Sequence, residues 1–185
     1  MNEVLRAIGE RSSCRKYTDE PISEDMLNAI AQAALTSPSS MNGQPWRIIS
    51  VTNKDILSEL DAESERILEH HNPAMYQHAL SRGNGILYKV PAAIIVAIDP
   101  SNMPRTQLDC GIVCQTITLA ATSLGLGNVI CGMMALAFMG DKAEYFSKAL
   151  NFPEGYVFGM SVLLGHKAEH KVQHEVDANK LIRIR

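Results

Sequence analysis

The chain has 185 residues, 46% hydrophobic and 20% charged, which suits one globular domain spanning residues 1–185 with a sizeable core. Its net charge of −3 argues against a nucleic-acid binder, which would usually show a basic excess, and 5% aromatic residues leave no stacking platform for single strands. No segment is low in complexity, so no disordered region is expected.

Asn2 can cap a short helix through Ile8, ended by Gly9. The polar N-terminal stretch, with charges continuing through Lys16 and Asp19, is unlike a secretory signal, so a cytoplasmic protein is expected. Arg11-Ser12-Ser13-Cys14-Arg15-Lys16-Tyr17 then places three cations and two serine hydroxyls in seven residues. Arginine forks and hydroxyls suit phosphate oxygens, although the same run also reads as an exposed basic turn. Ser23 caps a helix through Leu35, with Glu24 and Asp25 at its positive end and Met26, Leu27, Ile30 and Ala34 at helical spacing.

Pro38, Gly43 and Pro45 stiffen the loop from Pro38 to Trp46, where Ser39, Ser40, Asn42 and Gln44 present hydroxyls and amides. Such groups suit the edge of a planar heterocycle bearing both donors and acceptors; a capped turn before a strand is the plainer alternative. Trp46 to Thr52 reads as a strand, Lys54 to His70 as an amphipathic helix and Ala74 to Leu80 as a second helical piece. Arg82-Gly83-Asn84-Gly85 is a turn, and the apolar run Pro91 to Ile98 fits a central strand.

No residue between Asp109 and Asp141 is charged, a stretch long enough to cross a bilayer. Gln115, Thr116, Thr118, Thr122, Ser123 and Asn128, with glycines at 125, 127 and 132, argue against a membrane span. A buried helix from Leu108 to Leu124, a Gly-Leu-Gly turn and a short strand near Val129 are expected instead. A helix apolar on every side must be covered on every side, which points to a second copy of the chain. A helix from Lys142 to Leu150, a strand from Tyr156 to Leu164 and a charged tail complete an α+β layered sheet. Cys14, Cys110, Cys114 and Cys131 form no CxxC pair and read as reduced, buried thiols. His70, His71 and His78, like His166, His170 and His174, lack diagnostic ligand spacing, so no metal is expected.

The Arg-Ser-Ser-x-Arg-x-Tyr element, a helix, then Pro-Ser-Ser-x-Asn-x-Gln-Pro-Trp resembles the start of the nitroreductase family of FMN-dependent oxidoreductases, in spacing and composition. Val90 to Val96 resembles its central strand. Asp109-Cys110-Gly111 through Gln115, Leu119-Ala120-Ala121 and Gly125-Leu126-Gly127 resemble its long dimer-interface helix and the following turn, and Val162 to His166 its last strand. The likeness covers nearly the whole chain.

It implies a three-layer α/β/α sandwich around a central mixed, mainly antiparallel sheet, in a homodimer with two FMN sites at the interface. Arg11, Ser12, Ser13 and Arg15 would hold the phosphate, the ribityl oxygens and the pyrimidine edge. Ser39, Ser40 and Asn42 would reach the flavin from the partner subunit, with Pro38 and Gln44 in the same loop. Ile130, Cys131 and Gly132 match the segment beside the redox-active edge, where a main-chain N–H hydrogen-bonds N5. Gly165 and Lys167 stand at the phosphate side. The chain departs from the family at Ser12, where a second Arg or a His is common. Asn84 lies in the middle segment that supplies a polar contact.

The implied activity is transfer of two electrons from NADH or NADPH, through flavin N5, to a small acceptor such as a nitro compound or a quinone. Narrower FMN chemistry (reductive dehalogenation, or oxidation of a biosynthetic intermediate) and a non-catalytic flavin-binding module are the alternatives. No serine-histidine-acid triad or dedicated general acid is visible, and flavin chemistry requires none.

Overall fold

The computed structural model describes residues 2–169, 171 and 175–184. Four strands, β1 (Trp46–Val51), β2 (Ala92–Ile98), β3 (Gly127–Cys131) and β4 (Val157–Gly165), form one sheet in the order β1-β2-β4-β3. All pairings between these strands are antiparallel. The mixed character expected of the sheet enters through an isolated parallel bridge between Ser13 and Asn128. β2 is buried at every position, as its unbroken apolar run requires. Its alternate side chains enter opposite cores: Ala93 and Ile95 on one face, Ile94, Val96 and Ile98 on the other.

The first face is covered by α3 (Lys54–His71), α4 (Pro73–Leu80), α6 (Ala143–Ala149) and a 3₁₀ segment, Gly132–Phe138. The second is covered by α2 (Glu24–Leu35) and α5 (Arg105–Ser123), and α1 (Glu3–Glu10) lies against α5. The result is three layers, helices on both sides of one sheet. The helix starts follow the capping residues: Asn2, Ser23 and Asn53 accept from backbone N–H groups of the first turns of α1, α2 and α3. Gly9 does not end α1. It stays helical rather than adopting the positive φ of a capping glycine, and Arg11 N–H donates to Ala7 O at 3.0 Å. α5 begins at Arg105, three residues before the expected start, because the turn after Pro104 is already helical.

α5 is not covered on every side within the chain. Val113, Ile117 and Ala121 are buried, whereas Leu108 is 70% exposed and Ile112 follows it on the same face. Val4, Leu5 and Ile8 of the neighbouring α1 are also exposed. All four cysteines are free and buried. Among the described residues no helix is long and apolar enough to cross a membrane.

Candidate functional site

The Arg11–Tyr17 element leaves α1 in extended form and is stitched to the ends of β3 and β4. Cys14 N–H donates to Asn128 O at 2.9 Å, Thr18 N–H to His166 O at 3.0 Å, and Ala168 N–H to Lys16 O at 3.0 Å. Two glycines permit this approach. A Cβ at Gly127 would lie 2.8 Å from Cys14 Sγ and 3.0 Å from Lys167 Cγ, and one at Gly165 would lie 2.7 Å from the Tyr17 ring. Tyr17 Oη donates to Cys14 O at 2.8 Å, and burial holds its phenol far above the usual range, so it stays neutral.

Cations collect beside Ser13 as a result. Lys171 Nζ donates to Ser13 O at 3.1 Å. Burial raises the Cys14 thiol pKa and the Glu169 charge adds to this, while the Lys16 backbone hydrogen bond and the charges of Lys167 and Lys171 pull against it. Among the described residues Arg11, Arg15, Lys167 and Lys171 have no carboxylate at ion-pair distance, although Lys16 pairs with Glu169 at 3.9 Å. Ser12 and Ser13 are half-buried among them. Four cations without ion-pair partners among the described residues, on an element that also carries two half-buried serine hydroxyls, outnumber the one carboxylate beside them, Glu169, and suit an anion.

The turn at Arg82–Gly85 brings Asn84 to this element. Its Nδ2 donates to Arg15 O at 2.7 Å, and its buried Oδ1 has no partner among the described residues. Asn128 is similar: its Nδ2 donates to Thr122 Oγ1 at 2.9 Å, and its Oδ1 is buried without a partner. A buried acceptor left unpaired costs about 1–3 kcal/mol; Asn84 is half-buried and open to a bound donor, whereas Asn128 is 1% exposed.

Ile130, Cys131 and Gly132 close β3. Burial raises the Cys131 thiol, backbone N–H groups of Met133 and Met134 act against this, and the Arg15 charge reaches it as well. Cys131 and Val129 turn into the core, whereas Ile130 between them is 41% exposed. Ser161 Oγ donates to Cys131 O at 2.7 Å and holds the strand end. A cavity of about 250 Å³ beneath Ile130 is lined by Met103, Cys110, Cys114 and Met160.

The Pro38–Trp46 loop stands elsewhere. Met41, Asn42 and Gln44 have φ of 53°, 53° and 45°, a region that costs non-glycine residues energy unless the surroundings enforce it. The enforcing bonds are Ser40 N–H to buried Asp109 Oδ1 at 3.0 Å, Gln44 N–H to Ser39 Oγ at 2.9 Å and Asp99 N–H to Pro45 O at 3.0 Å. Gln44 Nε2 also donates to Asn42 Oδ1 at 3.1 Å. Pro38, Ser40, Asn42 and Gln44 are nonetheless exposed, and Ser39 is half-buried.

Trp46 is level with Ile98 and Val157, whereas Ser13 is level with Asn128 and Leu164. The two levels are seven β4 residues apart, roughly 23 Å along the strand, and they sit on opposite edges of the sheet. Arg11, Ser12, Ser13, Arg15, Gly165 and Lys167 therefore come together, with Ile130–Gly132 further along β3. The Pro38–Gln44 group does not join them within one chain. Lys171, which sequence reasoning missed, sits in the charged tail without any motif spacing. His170 and His174 lie outside the described residues. Among the described residues there is no group of three or more His, Cys, Asp or Glu side chains able to hold a metal ion.

A family model described as "Nitroreductase family" matches residues 8–166. A nitroreductase from Desulfitobacterium hafniense DCB-2, solved with bound FMN, superposes with a TM-score of 0.97 at 47% identity, covering 100% of both chains. A nitroreductase from Bacteroides fragilis NCTC 9343, also solved with bound FMN, superposes with a TM-score of 0.88 at 28% identity, again covering 100% of both chains. The FMN reductase (NAD(P)H) of Bacillus subtilis (strain 168) is 31% identical over 178 residues, covering 94% of this chain and 69% of that protein.

Proposed function

The chain belongs to the nitroreductase family, and from that premise we propose that it is an FMN-dependent NAD(P)H oxidoreductase, working as a homodimer and passing two electrons to a small acceptor such as a nitro compound or a quinone. One observation carries the reading. Lys171 donates to Ser13 O, Lys167 lies against the neighbouring Gly127 and Cys14, and Asn84, whose side chain bonds Arg15 O, has a buried Oδ1 without a partner among the described residues. A phosphate monoester joined to a heterocycle with a ring N–H matches both features, and FMN has both.

When bound, FMN supplies the two-electron relay that no side chain of this protein provides. Arg11, Lys167 and Lys171 would hold the phosphate by charge-assisted hydrogen bonds, and Ser12 and Ser13 would take remaining oxygens. Arg15 and Asn84 would orient the pyrimidine edge, Arg15 by donating and Asn84 Oδ1 by accepting. Tyr17, neutral and packed over Gly165, excludes water behind the element.

The Pro38–Gln44 loop is too far from this cradle in its own chain, so its contact with the flavin has to come from a second copy. Leu108 and Ile112, continued by Val4, Leu5 and Ile8, form the face that copy covers. Asp109, which holds Ser40, stands beside Leu108 on the same helix. Leu181, Ile182 and Ile184 of the tail are exposed and need the same cover.

The purified protein is expected to be yellow and to bleach on anaerobic mixing with NADH or NADPH, after which a screen of nitroaromatics and quinones identifies the acceptor. A colourless protein that leaves FMN fluorescence unchanged in a titration would refute the flavin reading. Bound FMN that neither nicotinamide reduces would refute the oxidoreductase and leave a flavin-binding module.

A further inference from the structure

The turn carrying Asn84 is held from behind by a carboxylate of α3. We propose that Asp61 is a positioning residue for the flavin site: ionised, it sets the Arg82–Lys89 segment so that Asn84 meets the pyrimidine edge, and FMN affinity falls when Asp61 takes up a proton. The inference rests on the FMN reading above.

Asp61 Oδ1 accepts from Ile86 N–H and Leu87 N–H, both at 2.9 Å, two and three residues beyond Asn84. Gly83 and Gly85 flank Asn84, both with φ of +72°, and a Cβ at Gly85 would lie 2.2 Å from Asp61 Oδ2. The carboxylate is thus pressed against the turn itself. The turn in turn delivers Asn84 to Arg15 O and leaves its Oδ1 buried and free. The chain of contact runs from Asp61 through the backbone to Asn84, and none of it is needed merely to cap α3.

Asp61 Oδ2 makes no hydrogen bond among the described residues. The carboxylate lines a cavity of about 450 Å³ that Asp19, Lys54, Ser58, Glu65 and Lys89 also line. The charged and titratable groups facing it are Lys89 from the turn, Glu65 from its own helix, Cys131 from β3, and Asp19 and Lys54 across the cavity. Burial pushes the Asp61 carboxyl up, while the Leu87 and Ile86 N–H groups and Lys89 pull against this. It therefore takes up its proton above the ordinary aspartate range.

The two consequences have opposite signs. A carboxyl pKa raised by folding contributes stability that is present at low pH and lost as pH rises through the folded value. Protonation also removes the charge-assisted acceptor that both turn N–H groups use, so flavin affinity weakens as pH falls. A purely structural Asp61 would move stability and affinity together.

The test uses the full-length apoprotein in wild-type, Asp61→Asn and Asp61→Ala forms. FMN affinity is titrated by fluorescence from about pH 8 down to about pH 4, a window that reaches the ordinary aspartate range. Thermal unfolding of the apoproteins is followed over the same range. Asparagine keeps an acceptor for both N–H groups without the charge. Asp61→Asn, uncharged like protonated aspartate, is expected to bind FMN several-fold more weakly than wild type at the alkaline end, and Asp61→Ala about tenfold or more weaker. The phosphate of FMN itself titrates near pH ~6, which cancels in the ratio of wild-type to Asp61→Asn dissociation constants. That ratio is expected to rise several-fold on acidification, while apo Asp61→Asn is no less stable than wild type at neutral pH. A ratio flat with pH, or an Asp61→Ala protein that binds FMN like wild type, overturns the proposal while the FMN reading stands. Wild-type protein that binds no FMN overturns both.

Discussion

Replacing Arg11 with alanine separates flavin binding from folding. The Arg11 backbone N–H closes α1 by donating to Ala7 O at 3.0 Å, and truncating the side chain leaves that bond in place. The guanidinium has no carboxylate partner among the described residues, so the fold is expected to lose no more than about 0.5 kcal/mol. Toward a phosphate the loss is larger. A hydrogen bond to a charged group contributes about 1.5–3 kcal/mol, a factor of roughly 10 to 150 in Kd. Arg15, Lys167 and Lys171 retain part of the field, and Arg11 is only half-buried, which favours the lower end of that range. Fluorescence titration of apoprotein with FMN measures the change, and riboflavin, which lacks the phosphate, serves as the internal control. Riboflavin affinity is expected to change less than about twofold, and added salt to narrow the FMN difference. Equal FMN affinities in mutant and wild type would refute the phosphate cradle. Equal losses for FMN and riboflavin would place the effect in the ring or the fold instead.

Gly127→Ala puts a methyl against Cys14 and Lys167, where overpacking costs about 1–3 kcal/mol, so calorimetry should show a lower Tm and titration a weaker FMN complex. An unchanged melt would contradict the close approach. Leu108→Glu places a charge on the uncovered face of α5, and sedimentation should show monomer with FMN lost but helical content kept. A dimer that still retains FMN would move the interface elsewhere. Glu63 is 2% exposed and held by Arg66 Nη2 at 2.6 Å, and that hydrogen bond keeps its carboxyl below the ordinary range. A depressed folded pKa contributes stability present above the unfolded value and lost as pH falls through the folded one. Urea unfolding should therefore find Glu63→Gln less stable at neutral pH, with the gap closing as pH falls below the ordinary glutamate range. A gap independent of pH would mean that ionisation of Glu63 does not matter.

Elements specified by near neighbours were legible in the chain. Ser23 begins α2 at Glu24, and Asn53 begins α3 at Lys54, because a cap acts on N–H groups two or three residues away. The unbroken apolar run before Asp99 became the fully buried β2 for a similarly local reason. Gly9 failed as a stop signal because its φ depends on how the next residues dock, and the Arg11–Tyr17 element docks on β3 and β4. Asn84, Asp61 and Lys171 were not legible as a group. Asn84 meets Arg15 across 69 residues, Asp61 meets Ile86 across 25, and Lys171 meets Ser13 across 158.

The amino-acid sequence by itself determined which chemistry the chain carries: cations and serines fit for a phosphate at Arg11–Tyr17, and a polar, stiffened loop at Pro38–Trp46. Side-chain charge and hydrogen-bonding capacity belong to the residues wherever they stand. Only the tertiary structure decided how those groups are distributed. Strand order β1-β2-β4-β3 puts the two constellations at opposite ends and opposite edges of the sheet, because their separation follows from long-range pairing, not from the helix that joins them in sequence.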